Sequence, residues 1–286
     1  MAALTPQAPP TSPRVPALPG WARPGVLLSL VVLAVVVLWA IKPGLFASAD
    51  PLVGQAGQQL RPPSRGHLFG TDQLGRDVFS RTVHGASLSM RGALLATSIS
   101  FVAGTLIGST AGYAGGLADD VVMRFVDVLL SVPGLLLSLM VVASLGFGTT
   151  KVAIAVGIAG IAGFARLSRG EVLQVRTTDY VEASRASGSR WWTVLFGHVV
   201  PNAISPMIVL AALELGTAIL AIAAMSYLGY GAPPPTPEWG TLISDGRNYL
   251  ATSWWITTMP GLVVLAVALS FNRLSRALNS RRWMSR

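Results

Sequence analysis

Few residues in this sequence could carry out covalent chemistry. The chain has no cysteine, so it can form no disulfide, thiolate nucleophile or thiolate metal site. Its histidines, His67, His84 and His198, are too scattered to suggest a metal centre. A G-x-x-x-x-G-K-[ST] phosphate loop is also absent, so the chain cannot hydrolyse ATP by that route. We therefore predict a protein that is not an enzyme and that carries no metal or cofactor of its own.

The stretch over residues 179–202, DYVEASRASGSRWWTVLFGHVVPN, is typical of a docking element. Asp179 can cap a helix whose third residue is Glu182, as in a capping box, and Gly188 can supply a left-handed stop. These signals predict a short helix over residues 180–187, with charge on Glu182 and Arg185. Small side chains would leave its backbone open to a partner: Ala183, Ser184, Ala186 and Ser187. A second amphipathic stretch, residues 191–198, leads to Pro201, which opens the next apolar run.

Two polar segments carry the remaining distinctive patterns. Residues 70–81 contain four charged side chains, which either form an ion-pair cluster or contact a substrate: Asp72, Arg76, Asp77 and Arg81. Residues 234–240, PPTPEWG, form a stiff bend because proline fixes the backbone and cannot continue a helix. That bend, which includes Pro237, Glu238 and Trp239, is either a docking surface for another protein or a structural turn.

Glu214 is the only acidic residue deep in an apolar run. A charged carboxylate inside a bilayer costs roughly 2.5 to 3.5 kcal/mol on insertion scales, so it should face a partner or a water-filled cavity. It is therefore a candidate pore-lining residue, with a structural contact as the alternative.

The elements that position these residues are predicted to be membrane helices. Hydrophobic residues make up 52% of the chain and charged residues only 12%, against about a quarter charged in soluble domains. Apolar runs long enough to cross a bilayer lie at residues 26–41, 88–113, 121–146, 152–166, 203–229 and 256–274. The sequence thus predicts an all-α integral membrane protein with about six transmembrane helices. The net charge of +9 does not indicate nucleic-acid binding, because the arginines lie between the runs without an aromatic-interleaved basic face.

Charge distribution predicts which loops face the cytoplasm. Arginines crowd the loop between the fourth and fifth runs, where Arg166, Arg169, Arg176, Arg185 and Arg190 lie, and also the C-terminus, whereas the next loop has only Arg247. The positive-inside rule therefore places both termini in the cytoplasm. The predicted organisation begins with a disordered cytoplasmic tail over 1–24 and a first transmembrane helix over 25–42. An extracytoplasmic segment over 43–86 follows. A core of five helices over 87–275, with a cytoplasmic loop at 167–202, then leads to a basic cytoplasmic tail over 276–286.

Two features of the N-terminal part compete with this topology. The segment after the first run carries Lys42, Arg61, Arg65, Arg76 and Arg81, although the parity of six crossings places it outside. Residues 47–49, Ala-Ser-Ala, also have the form of a signal-peptidase site, so that cleavage there would leave five spans. The long, weakly charged leader favours retention of the first helix.

In the second run, Gly104, Gly108 and Gly112 recur at every fourth position and should line one face of a helix. Such a face lets a neighbouring backbone approach closely. We expect helix packing there, rather than gating.

The cytoplasmic loop resembles the EAA loop of binding-protein-dependent ABC importers, E-A-A-x3-G-x9-I-x-L-P. The match runs through Glu182, Ala183, Ser184, Gly188, His198, Val200 and Pro201 with the spacing intact. Ser184, His198 and Val200 depart from the motif, and His198 leaves open how that face packs. Residues 70–81 and 234–240 resemble two signatures of the dipeptide, oligopeptide and nickel permease family of these importers.

This resemblance implies the type I ABC importer permease (MetI-like) fold in the bacterial cytoplasmic membrane. It implies a homologous second permease subunit, one or two cytoplasmic ATPase subunits that use ATP and Mg, and an extracytoplasmic binding protein. The short helix at Glu182 would dock on an ATPase, while Glu214 would line the pore or contact the sister subunit. Dipeptides or oligopeptides are the first substrate expectation, and nickel or another small solute is the second. A secondary transporter is the rival class, but such a protein should carry carboxylates within several spans, or broken helices in paired positions, and only Glu214 qualifies.

Overall fold

The computed structural model describes residues 24–282, and its regular structure consists of helices apart from an isolated bridge between Thr71 and Asp77. In chain order the α-helices are α1 (Pro24–Ile41), α2 (Val78–Ala114), α3 (Gly116–Ser131), α4 (Gly134–Leu145), α5 (Thr149–Val175), α6 (Asp179–Ala186), α7 (Trp191–Val194), α8 (Val200–Tyr227), α9 (Trp239–Asp245) and α10 (Trp255–Arg282). The predicted disordered tail lies outside the described residues, except for Pro24, which begins α1.

Five helical units in the described part of the chain are long and apolar enough to cross a bilayer. They are α1, α2, α5, α10 and the unit Trp191–Tyr227 that joins α7 to α8. The pair α3 and α4 would supply a sixth crossing if it is taken as one span. The all-α membrane class and the expected number of spans are thereby confirmed.

The third predicted span, residues 121–146, is wrong as a single straight helix. It is broken between Ser131 and Gly134, where α3 and α4 meet at 95°. Val132 there is extended, at φ −92° and ψ 131°, because a residue that precedes proline is disfavoured in the helical region. Pro133 also lacks an amide hydrogen and cannot continue the helical ladder.

Helix α2 begins at Val78, well before the apolar run predicted at 88–113. Asp77 starts the helix early, because its carboxylate accepts a hydrogen bond from the Ser80 amide at 2.7 Å. The first turns are polar, and hydropathy therefore misses them. The last third of the 70–81 segment, residues 78–81, is consequently helical.

The bundle is built around close packing of α2 on α5, the most extensive helix pair in the described chain. The glycine face of α2 forms this contact, as predicted. A methyl group at Gly104 would lie 2.6 Å from the Ile161 carbonyl oxygen, and one at Gly112 would lie 3.1 Å from that of Arg169. These glycines therefore allow the two backbones to touch.

Helix α5 extends to Val175, so the loop predicted at 167–202 begins later than expected. Arg166 and Arg169 lie in the helix and pair with carboxylates of α3. Arg169 is held by Asp119 through contacts of 2.9 Å and 2.7 Å, and Arg166 contacts Asp127. Helix α10 likewise continues to Arg282, into the predicted tail at 276–286.

Candidate functional site

Helix α2 defines two ends of the bundle. Near its C-terminus Tyr113 contacts Arg185 of α6, and near its N-terminus Thr82 contacts Trp239 of α9. We call these the α6 end and the α9 end. The docking element of the sequence and the proline-rich bend therefore lie at opposite ends of one long helix.

The predicted capping box at the start of α6 is wrong. Thr178 occupies the N-cap position without a side-chain cap, because its hydroxyl donates to the Val175 carbonyl at 2.6 Å. Asp179 and Glu182 instead lie in the first helical turn, where negative charge complements the positive end of the helix dipole. The glycine stop is confirmed, since Gly188 has a φ of +79° and its amide donates to the Arg185 carbonyl.

One side chain anchors α6 to the bundle. Val181 is fully buried in a cluster with Val172, Val194, Leu195, Val199, Ala203 and Met207. Glu182, Ala183 and Ala186 are exposed, and Ser184 is half-buried. The helix therefore attaches by one apolar side chain and shows an acidic residue and small residues on its open face.

Arg185 connects α6 to the end of α2. Its guanidinium lies 4.6 Å from the centre of the Tyr113 ring, and its Nε donates to the Tyr113 hydroxyl at 3.3 Å. Arg176, just before α6, donates to the Gly112 carbonyl at 2.7 Å. A displacement of α6 would therefore act directly on the C-terminus of α2.

The chain after α6 is joined rigidly to the next span. Helix α7 continues through a π-helical turn, Leu195–Val199, into α8, and Pro201 lies in the first turn of α8. His198 is exposed, and its carbonyl accepts a hydrogen bond from Asn202. The unusual histidine of the motif therefore lies on an open face and displaces no packed side chain.

At the α9 end, three of the four charged residues in segment 70–81 form one buried network. The Asp72 carboxylate lies 2.6 Å from Arg76 Nε and 3.8 Å from Arg81 Nε, and Arg81 also lies 3.7 Å from Asp245 of α9. Asp77 takes no part, because it caps α2 and lies 3.0 Å from His67. The network ties the segment before α2 to α9, and this geometry favours the structural interpretation.

Glu238 and Trp239 are both fully buried. Trp239 donates from its indole to the Thr82 carbonyl at 2.9 Å and from its backbone to Ser89 at 3.1 Å. Burial raises the pKa of the Glu238 carboxyl above its ordinary value, and a backbone hydrogen bond from Gly240 offsets part of this. The part of the bend open to another protein lies just before them, and its exposed residues are Pro233, Pro234, Pro235 and Thr236.

Glu214 lies near the middle of α8 and lines a cavity of about 180 Å³ between α4, α5 and α8. Ser138 of α4 and Thr217 of α8 are polar neighbours in the wall, and Gly160 of α5 lies opposite. Sequence reasoning missed Ser138 and Gly160, and also Tyr113 at the α6 end. Ser138 is one of three serines in its apolar run, with Ser131 and Ser144, so the sequence did not single it out, and no local pattern marked Gly160 or Tyr113.

Comparison with known proteins agrees with this arrangement. Residues 104–284 match the family described as binding-protein-dependent transport system inner membrane component. The chain is 37% identical to a probable D,D-dipeptide transport system permease protein of Escherichia coli (strain K12), over 87% of this chain and 84% of the relative. It is 38% identical to a di/tripeptide transport system permease protein of Pseudomonas aeruginosa (strain UCBPP-PA14), over 89% and 86%. It is also 38% identical to a glutathione transport system permease protein of Pectobacterium atrosepticum, over 76% and 72%.

The fold has a counterpart among solved structures. A chain of the MetNI methionine ABC transporter in an inward-facing conformation superposes with a TM-score of 0.54 at 18% identity, over 69% of this chain and 96% of that one. This confirms the MetI-like fold. Together with the family match and the helices that can span a membrane, these relatives show that the chain belongs to the binding-protein-dependent transport system inner membrane components, as a multi-pass permease.

Proposed function

We propose that this chain is one of two homologous permease subunits of an ATP-driven importer that carries dipeptides or oligopeptides across the cytoplasmic membrane. Relatives named for dipeptide, di/tripeptide and glutathione transport support a peptide substrate over nickel. Separate ATPase subunits supply the ATP and Mg chemistry. An extracytoplasmic binding protein delivers the substrate.

The observation that carries this proposal is the exposure of α6. Helix α6 is held by one buried apolar side chain, Val181, and by the contact of Arg185 with Tyr113, while Glu182, Ala183 and Ala186 are open to solvent. This is the form expected of a helix that inserts into a groove on another protein. Small side chains allow close backbone approach, and Glu182 supplies a charge for orientation. We infer that this groove lies on a cytoplasmic ATPase.

Alternating access follows if the ATPases move α6 as they close. The contacts of Arg185 and Arg176 transmit such a movement to α2, and the helical path through α7 transmits it to α8. Because α2 reaches Trp239 at the far end, the same helix can reposition the α9 end. The exposed prolines there are the proposed contact for the loaded binding protein.

Reversal of the charge on α6 tests the proposal. In the Glu182→Lys variant, and in a variant that lacks residues 183–187, we expect the ATPases to be lost on co-purification and dipeptide uptake to fall to background. The amount of permease in the membrane should stay unchanged, because Glu182 is exposed and the anchor Val181 is retained. Gln174→Lys is the control, since it introduces a lysine at an exposed position of α5 outside the docking helix.

Persistent dipeptide uptake in both α6 variants would refute the docking role. Wild-type uptake of nickel, but not of dipeptides, would leave the docking role standing and move the substrate to the second class.

A further inference from the structure

We propose that Glu214 pairs with the ammonium group of the peptide as it passes through the membrane. This inference rests on the proposed function, because it names the group of the substrate that the cavity holds. The cavity that Glu214 lines is walled by α4, α5 and α8, and it includes no residue of α6, the proposed ATPase-docking helix.

Among the side chains of residues 24–279, no cation pairs with the Glu214 carboxylate. The ion pairs among residues 24–279 use other carboxylates, those of Asp72, Asp77, Asp119, Asp127 and Asp245. An ionised carboxylate is costly in the middle of a span unless a cation or water faces it. The site is therefore chemically incomplete as the single chain presents it.

The backbone around the cavity leaves room for the carboxylate. A methyl group on Gly160 of α5 would lie 3.3 Å from a Glu214 carboxylate oxygen, so the glycine opens space in front of the charge. The hydroxyl of Ser100 does not complete the site, because it donates to the Gly157 carbonyl at 2.7 Å. The Thr217 hydroxyl lies within hydrogen-bond reach of Glu214, but a carboxylate can accept about four donors, so it keeps the capacity to accept one from outside the chain.

The broken span points to water in the same place. Gly134, Leu135 and Ser138 of α4 line the cavity directly after the break at Pro133. Non-helical backbone at membrane depth is tolerated where it is buried in protein or lines a water-filled cavity. In secondary transporters, substrate sites likewise tend to lie near the bilayer midplane beside interrupted helices.

An unpaired carboxylate in a cavity of this size favours the binding of a small cationic group. At about 180 Å³ the cavity is too small for a whole oligopeptide, but it can receive one end of a chain. The amino terminus is a cation that dipeptides and oligopeptides share whatever their side chains. A contact with it would therefore serve a broad range of peptides. The same cation chemistry could come from a lysine or arginine of the sister subunit, and the test must separate these sources.

The first arm uses the assembled complex with its binding protein. In Glu214→Gln we expect dipeptide uptake to fall by about tenfold or more, because the amide oxygen can accept a hydrogen bond from the ammonium group but no longer pairs with its charge. Complex yield and melting temperature should stay at wild-type values. Glu214→Asp should retain a substantial part of the uptake, and Asp120→Asn, which removes an exposed carboxylate from α3, should retain all of it.

The second arm exploits the absence of native cysteine in this chain. Glu214→Cys should react with a water-soluble thiosulfonate reagent, and a reagent that attaches a sulfonate should restore uptake because it returns the negative charge. A reagent that attaches only a methyl group should not restore it. Leu220→Cys, on an exposed apolar position of the same helix, should stay unreactive.

Each outcome is decisive. Wild-type uptake in Glu214→Gln, or an unreactive thiol at residue 214, overturns the inference. Dissociation of the Glu214→Gln complex assigns the cation to the sister subunit and also overturns it. A wild-type complex that imports no dipeptide refutes the proposed function instead, whereas a functional wild type with an unaffected Glu214→Gln variant refutes only this inference.

Discussion

At the residue scale, Glu238 is a carboxyl group that the fold removes from water. Burial raises its pKa in the folded protein above the unfolded value of about 4.3. Its contribution to stability is thus complete below the unfolded pKa and is lost as pH rises through the higher folded pKa. Glu238→Gln should remove this loss of stability at higher pH, since the amide does not titrate. We expect the melting temperatures of variant and wild type to diverge with rising pH, with the variant higher.

This comparison includes an internal control. The plots of melting temperature against pH for variant and wild type should converge at low pH, where Glu238 is protonated. Asp245, whose pKa is also raised by burial, titrates in both proteins and cancels in the difference. Parallel curves across the whole range would show that Glu238 keeps the same protonation in both states.

At the scale of elements, the contact of α2 with α5 depends on the lack of a side chain at three positions. Gly104→Ala would place a methyl group 2.6 Å from the Ile161 carbonyl oxygen, which neither helix can accommodate without moving. We expect a destabilisation of about 1 to 3 kcal/mol, typical of overpacking, measured as a lower melting temperature of the purified complex.

Gly163→Ala on α5 is the matched control, because a methyl group there meets no atom within 4 Å. Alanine is favoured over glycine in a helix by about 1 kcal/mol, so this variant should be neutral or slightly more stable. An equal effect of both substitutions would mean that helix propensity, rather than the close packing of α2 on α5, controls stability.

At the scale of the whole molecule, the orientation in the membrane decides the mechanism. The exposed positions Ser189, beside α6, and Thr236, in the proline-rich bend, lie at opposite ends of the bundle. We expect a membrane-impermeant maleimide to label Thr236→Cys in intact cells and Ser189→Cys only after permeabilisation. The measurement is made in cells without the partner ATPases, which would otherwise cover α6.

The cysteine-free wild type gives the background for this labelling. If Ser189→Cys were labelled from outside, α6 could not meet a cytoplasmic ATPase, and the proposed coupling would have to be abandoned.

The sequence by itself determined the membrane class, the number of spans, the stop at Gly188 and the family. These properties are local, since run length, a left-handed glycine and fixed motif spacing need no knowledge of distant contacts. The helix face of Gly104, Gly108 and Gly112 was likewise predictable from its period of four.

Only the tertiary structure decided what each polar residue contacts. It paired Arg169 with Asp119, fifty positions away in the chain. It also buried Trp239 against Thr82 and opened a cavity at Glu214. These outcomes depend on which helices become neighbours, and packing between residues far apart in the chain sets that arrangement, beyond the reach of local patterns.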